Sequence, residues 1–126
     1  MENQKGFDSF ISGNQVLDSG VYEGEYNGKP NGKGKFTASN GDIYEGEWKD
    51  GMYHGKGKYT HVCGITYEGG WKDFKRHGFG IERDSNGVVY EGYWENGMRN
   101  GKGKQTYKDG RIFEGTWKNG IPVEVK

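Results

Sequence analysis

A five-residue string, aromatic-Glu-Gly-x-aromatic, returns along almost the whole chain. It appears as Tyr22–Tyr26, Tyr44–Trp48, Tyr67–Trp71, Tyr90–Trp94 and Phe113–Trp117, with starts 22, 23, 23 and 23 residues apart. A second block follows each of the first four: Asn31-Gly-Lys-Gly-Lys35, His54-Gly-Lys-Gly-Lys58, His77-Gly-Phe-Gly-Ile81 and Asn100-Gly-Lys-Gly-Lys104. Turn signals (Asn40-Gly41, Cys63-Gly64, Asn86-Gly87, Asp109-Gly110) precede each new string, and Asp18-Ser19-Gly20-Val21 does the same ahead of Tyr22. Fixed-period self-similarity of this kind means stacked units that share one continuous core. The chain divides into residues 1–17, an N-terminal segment whose residues 7–17 suggest a degenerate capping hairpin, and a repeat domain over 18–126. Its units start near Tyr22, Tyr44, Tyr67 and Tyr90, with a half unit at Phe113.

The period within each unit is that of strands. Glycine at every fifth position would cost a helix roughly 1 kcal/mol each. Alternation instead puts Tyr44, Gly46 and Trp48 on one face and Glu45 and Glu47 on the other. A hairpin about Asp50-Gly51 sets Tyr44 opposite Tyr59, Glu45 opposite Lys58, Glu47 opposite Lys56 and Trp48 opposite Gly55. The first unit, one residue shorter in its turn, repeats the pattern with Glu23 opposite Lys35 and Glu25 opposite Lys33. Rings land on glycines and carboxylates on ammoniums, which fixes the register. The expected fold is all-β: a single elongated, twisted antiparallel meander of hairpin repeats, about ten strands wide. At the usual strand spacing it is a rod of about 40–45 Å. Only 30% of residues are apolar, too few for a second layer. Aromatics at 15% build a thin core on one face, where glycines leave room for rings to lie on the sheet.

The pattern Tyr-Glu-Gly-Glu-Trp-x-x-Gly-x-x-His-Gly-x-Gly, complete over Tyr44–Gly57, closely resembles the MORN repeat, and the resemblance covers residues 18–120. Departures are local: Asn31 and Asn100 for His, Phe74 for the turn glycine, and Gly70, Tyr93 and Thr116 for the second Glu. The resemblance implies a single-sheet rod that works as an interaction module. Similar repeats occur in cytoskeletal and ciliary structural proteins and in junctional proteins that tether membranes. They also stand beside catalytic domains in certain lipid kinases and a lysine methyltransferase, where the chemistry lies outside the repeats.

The residues themselves argue against catalysis. The Gly-Lys-Gly-Lys blocks sit in strands and lack a Gly-x4-Gly-Lys-Ser/Thr string, so they do not read as phosphate loops. His54 and His77 lie one unit apart, about 10 Å, too far to share a zinc. The paired glutamates stand on an open charged face, which suits solvation better than acid–base work. No enzyme, cofactor or metal site is therefore expected. Eighteen basic and eighteen acidic residues cancel, and rings and lysines point to opposite sides, so nucleic acid is not an expected partner. The lone Cys63 and an N-terminus without an apolar core suggest a reducing, cytoplasmic setting.

Two surfaces are expected to meet partners. The first is an aromatic groove lined by Tyr26, Trp48, Trp71, Trp94 and Trp117, able to take an extended or helical peptide. The second is an apolar patch on the charged face, where Phe79 and Ile81 replace two lysines and Tyr93 replaces a glutamate. With a five-residue turn over 84–88, Phe79 falls beside Tyr93, and the patch is expected to be covered by a partner, a second copy or the chain's own tail. The strand edge near Phe113–Trp117, blunted by Pro122, suggests end-to-end homodimerisation. The functional expectation is a non-enzymatic protein–protein scaffold, attached, on the resemblance alone, to a cytoskeletal or ciliary assembly. The alternative is a membrane-apposed adaptor that binds anionic phospholipid head groups.

Overall fold

Each repeat folds as a hairpin and its link to the next, and the hairpins join edge to edge. The computed structural model describes residues 20–123, so the expected capping segment 1–17 lies outside the described residues. The strands are β1 (Gly20–Tyr26), β2 (Pro30–Ala38), β3 (Ile43–Lys49), β4 (Met52–Thr60), β5 (Thr66–Lys72), β6 (Lys75–Arg83), β7 (Val89–Glu95), β8 (Met98–Thr106), β9 (Ile112–Lys118) and β10 (Ile121–Pro122). They form one antiparallel sheet in strict chain order, and the described residues contain no helix. The all-β meander is as expected.

Residues of like type line up across the strands. One row is made of glycine alone: Gly24, Gly34, Gly46, Gly57, Gly69, Gly80, Gly92, Gly103 and Gly115 are successive register partners. Beside it run Glu23, Lys35, Glu45, Lys58, Glu68, Ile81, Glu91, Lys104 and Glu114, alternating in sign from strand to strand except at Ile81. The tyrosine row reads Tyr22, Phe36, Tyr44, Tyr59, Tyr67, Glu82, Tyr90, Gln105 and Phe113.

The glycine row exists because the tyrosines lie across it. Tyr44 reaches over its strand partner so that its Oη–H donates to the Glu47 carbonyl at 2.8 Å, and a Cβ on Gly57 would come within 2.1 Å of that hydroxyl oxygen. Tyr22, Tyr67 and Tyr90 lie over Gly34, Gly80 and Gly103 in the same way. Tyr22, Tyr44, Tyr67 and Tyr90 are the most deeply buried large side chains, at 0–1% exposure. Burial first, then the neighbouring Glu47 charge, holds the Tyr44 phenol well above its usual range. Burial likewise pushes Tyr67 up to about 12.

The sequence-based register needs one correction. Tyr44 faces Tyr59 and Glu45 faces Lys58 as expected, but Trp48 pairs with Tyr53 in its own hairpin and not with Gly55. Residues 54–56 sit opposite the single residue Glu47, and Gly55 turns there with φ 70°. The slip is two residues, so side chains keep their faces. Every complete hairpin repeats it, with Gly32, Gly78 and Gly101 also at positive φ. The glycine that Trp48 does face is Gly32, in the preceding hairpin. Glu47 still meets Lys56, through the backbone: the Lys56 N–H donates to Glu47 Oε1 at 3.0 Å. Glu25 accepts from the Lys33 N–H at 2.9 Å in the same manner.

Candidate interaction faces

The ring face carries a zipper of alternating Tyr and Trp. The order is Tyr22–Trp48–Tyr44–Trp71–Tyr67–Trp94–Tyr90–Trp117–Phe113, with centroids 5.0–5.5 Å apart and planes at 78–89°. Edge-to-face pairs of this kind contribute about 0.5–1.5 kcal/mol each beyond area burial. Trp48, Trp71 and Trp94 also tie their units to the preceding ones, their Nε1–H groups donating to the carbonyls of Gly34 at 3.1 Å, Gly57 at 3.0 Å and Gly80 at 3.4 Å.

This packing corrects the expected groove. Trp48, Trp71, Trp94 and Trp117 are 2–7% exposed, so they are core and do not line an open channel; Tyr26 is half-buried. A residue two positions beyond each tight turn covers them. Tyr53 stacks on Tyr44 at 4.0 Å and 9° and packs against Trp48 and Trp71. Arg76 lies 4.5 Å over Tyr67 and 4.7 Å over Trp94. Arg99 lies 4.1 Å over Tyr90.

These covering residues change along the rod together with their neighbours in the tyrosine row. Pro30 accompanies Phe36, and Tyr53 lies 5.9 Å from Tyr59. Arg76 meets Glu82 at 3.5 Å. Arg99 shares the same Glu82 oxygen at 3.5 Å and donates to Gln105 Oε1 at 2.8 Å. The outer ring face is therefore aromatic over β2–β5 and bears two guanidiniums and one carboxylate over β6–β8. The sequence reading missed this, although positions 30, 53, 76 and 99 recur at the repeat spacing and vary in step with 36, 59, 82 and 105.

Phe74 enlarges the aromatic half. It occupies the second of two left-handed positions in the β5–β6 turn, at φ 72° after Asp73 at φ 50°, where Gly51, Gly97 and Gly120 stand in the other turns. Its N–H donates to the Tyr53 carbonyl at 3.2 Å, and its ring packs edge-on to Tyr53 at 4.8 Å while staying 51% exposed. A cavity of about 350 Å³ opens at the β1–β2 end, between Tyr22, Pro30, Phe36 and Trp48. At the margin of the same half, Asp42 accepts from the Val62 N–H and the Tyr59 hydroxyl, both at 2.9 Å. Those bonds, the backbone one first, hold its carboxyl below the usual range.

On the opposite face Phe79 and Tyr93 are register partners, with rings 5.6 Å apart at 72°. They are 45% and 50% exposed, and Ile81 beside them is half-buried. The five-residue turn 84–88 is present, closed by Asp84 N–H donating to the Val88 carbonyl at 3.0 Å. The Lys–Glu ladder is a matter of register more than of contact. Among the described residues, ion pairs within 4 Å involve His61–Asp42, Arg76–Glu82, Arg99–Glu82 and Arg111–Asp109.

At the C-terminal edge β10 pairs with Trp117 and Lys118, and the Val123 N–H donates to the Thr116 carbonyl at 2.7 Å. Among the described residues no strand lies beside Ile112–Gly115 on that side, and Ile112 and Phe113 are exposed. No group of three or more His, Cys, Asp or Glu residues among those described is placed to hold a metal ion.

A family model described as the MORN repeat matches residues 22–43, 44–62, 67–89, 90–110 and 113–123. A search of curated proteins gave no significant match.

Proposed function

The chain belongs to the MORN-repeat family, whose units are protein- or membrane-binding modules and not catalytic ones, and from that premise we propose that it is a protein-binding scaffold that receives a peptide segment along its ring face. The observation that carries this reading is Phe74. An L-residue in the left-handed region costs roughly 1–2 kcal/mol, the sibling turns carry one such residue (Asp50, Asn96 or Asn119) followed by glycine whereas this turn carries two, Asp73 and Phe74, and the ring remains half in solvent. Strain kept at an exposed aromatic is the signature of a contact surface. The cavity at Tyr22, Pro30, Phe36 and Trp48 supplies a socket on the same face for a partner's side chain. Assembly on a cytoskeletal or ciliary structure is the setting that the family suggests. Glutamates alternate with the lysines of the charged face, so the layout offers anionic lipid no one-sided basic patch.

The test compares the wild type with Phe74→Gly, which restores the sibling residue. Stability should stay within about 1 kcal/mol, since lost strain offsets the lost ring pair. Affinity capture should lose its specific partner with Phe74→Gly. Equal capture by both proteins would refute the ring face as the contact surface. Co-sedimentation with microtubules and with F-actin probes the cytoskeletal setting, and pelleting with neither would remove it. Flotation with phosphatidylserine vesicles at physiological salt should leave the chain unbound.

A further inference from the structure

We propose that two copies of this chain pair face to face through the centre of the charged face, around Phe79, Ile81 and Tyr93. The charge pattern suits a second copy in particular. Glutamates of the ladder stand on odd strands (Glu45 on β3, Glu68 on β5, Glu91 on β7, Glu114 on β9) and lysines on even ones (Lys35 on β2, Lys58 on β4, Lys104 on β8). A twofold axis parallel to the strands, passing between β6 and β7, lays β6 over β7 of the second copy, β5 over β8 and β4 over β9. That operation exchanges odd strands for even ones. Glu68 then faces Lys104 of the second copy, and Lys58 faces its Glu114. Phe79 faces Tyr93, and Ile81 lies over the methylenes of Glu91. Every ladder charge near the axis meets its opposite or an apolar group, as an isologous contact requires.

Position on the sheet agrees. Twisted sheets diverge towards their ends when they pack face to face, so contact concentrates at the middle. Four of the five departures from the Lys/Glu pattern, Gly70, Phe79, Ile81 and Tyr93, fall on β5–β7 of the ten described strands, and the fifth, Thr116, lies on β9. In the outer repeats the row beyond the glycines keeps Glu25, Lys33, Glu47 and Lys56 on one side and Lys102 on the other. A contact of this size belongs with small, reversible interfaces of below about 1,200 Å², so dissociation in the micromolar range is expected.

Sedimentation equilibrium of the wild type and of the triple variant Phe79→Lys/Ile81→Lys/Tyr93→Glu tests the proposal. The triple variant installs the residues that sibling repeats carry, and far-UV circular dichroism verifies its fold. The wild type should show a reversible monomer–dimer equilibrium, weakened at least about tenfold in the variant, a loss of about 1.4 kcal/mol. Independently, Glu68→Cys and Lys104→Cys proteins, each also Cys63→Ser, should form a mixed disulfide dimer when combined. A control, Ile112→Lys at the open β9 edge, should dimerise as the wild type does. A monomeric wild type up to about 500 μM, far above a micromolar constant, would overturn the proposal. So would unchanged dimerisation of the triple variant, failure of the mixed cross-link, or loss of the dimer in Ile112→Lys.

Discussion

Replacing Gly57 by alanine should destabilise the chain by about 3 kcal/mol, the upper part of the usual range for overpacking. The added methyl would lie 2.1 Å from Tyr44 Oη and 2.4 Å from Cζ. The ring has nowhere to go. Its hydroxyl is bonded to the Glu47 carbonyl, Tyr53 stacks on it, and Trp48 and Trp71 close its edges. Gly97→Ala is the matched control, because that glycine has φ 84° but no atom within 4 Å of an added Cβ. It should cost only the left-handed backbone penalty, about 1 kcal/mol. Urea denaturation followed by tryptophan fluorescence measures both. Because contacts run between neighbouring strands, Gly57→Ala should also broaden the transition by uncoupling the units on its two sides. Equal effects of the two substitutions would mean that ring-over-glycine packing is not what excludes a side chain from this row.

A second large effect is expected in alkali. Burial raises the phenols of Tyr22, Tyr44, Tyr59 and Tyr90 above the ordinary value of 10.0, and pushes Tyr53 and Tyr67 to about 12. The sign follows from linkage. Below pH 10 these groups are neutral whether the chain is folded or not, and their contribution to stability is fully present. Above pH 10 the unfolded chain releases protons that the folded one retains, so stability falls as pH climbs towards 12. One cooperative unfolding step should therefore start above pH 10, with tyrosinate absorbance and the far-UV signal changing together. Stepwise ionisation of these tyrosines with the sheet intact would show that they are reached by water.

The residues that disclosed the fold are those with strict parity. Glu45 opposite Lys58, Glu23 opposite Lys35 and Tyr44 opposite Tyr59 are register partners, as charge and size matching demands. Phe79 beside Tyr93 followed from the length of one loop. Trp48 opposite Gly55 failed because a two-residue slip leaves parity untouched, and alternation cannot register it. Its only trace is Gly55, a glycine that needs positive φ where a strand residue would not. The groove failed for a related reason. Parity gives the face of a side chain, not what lies above it, and the covering role of Tyr53, Arg76 and Arg99 appears only when neighbouring strands are superposed.

The tight turns set how such a rod can grow. Gly51, Phe74, Gly97 and Gly120 each donate their N–H to a carbonyl of the hairpin before, those of Pro30, Tyr53, Arg76 and Arg99. Each unit therefore arrives with its own clasp for its predecessor. Duplication or loss of a whole unit leaves every clasp engaged and changes the length in steps of about 10 Å. A single residue added inside a strand would instead turn rings outward and carboxylates inward from that point on. Variation in length among chains built this way should come in whole modules, with odd residues confined to bends, as in the three-residue bend 27–29 that joins β1 to β2.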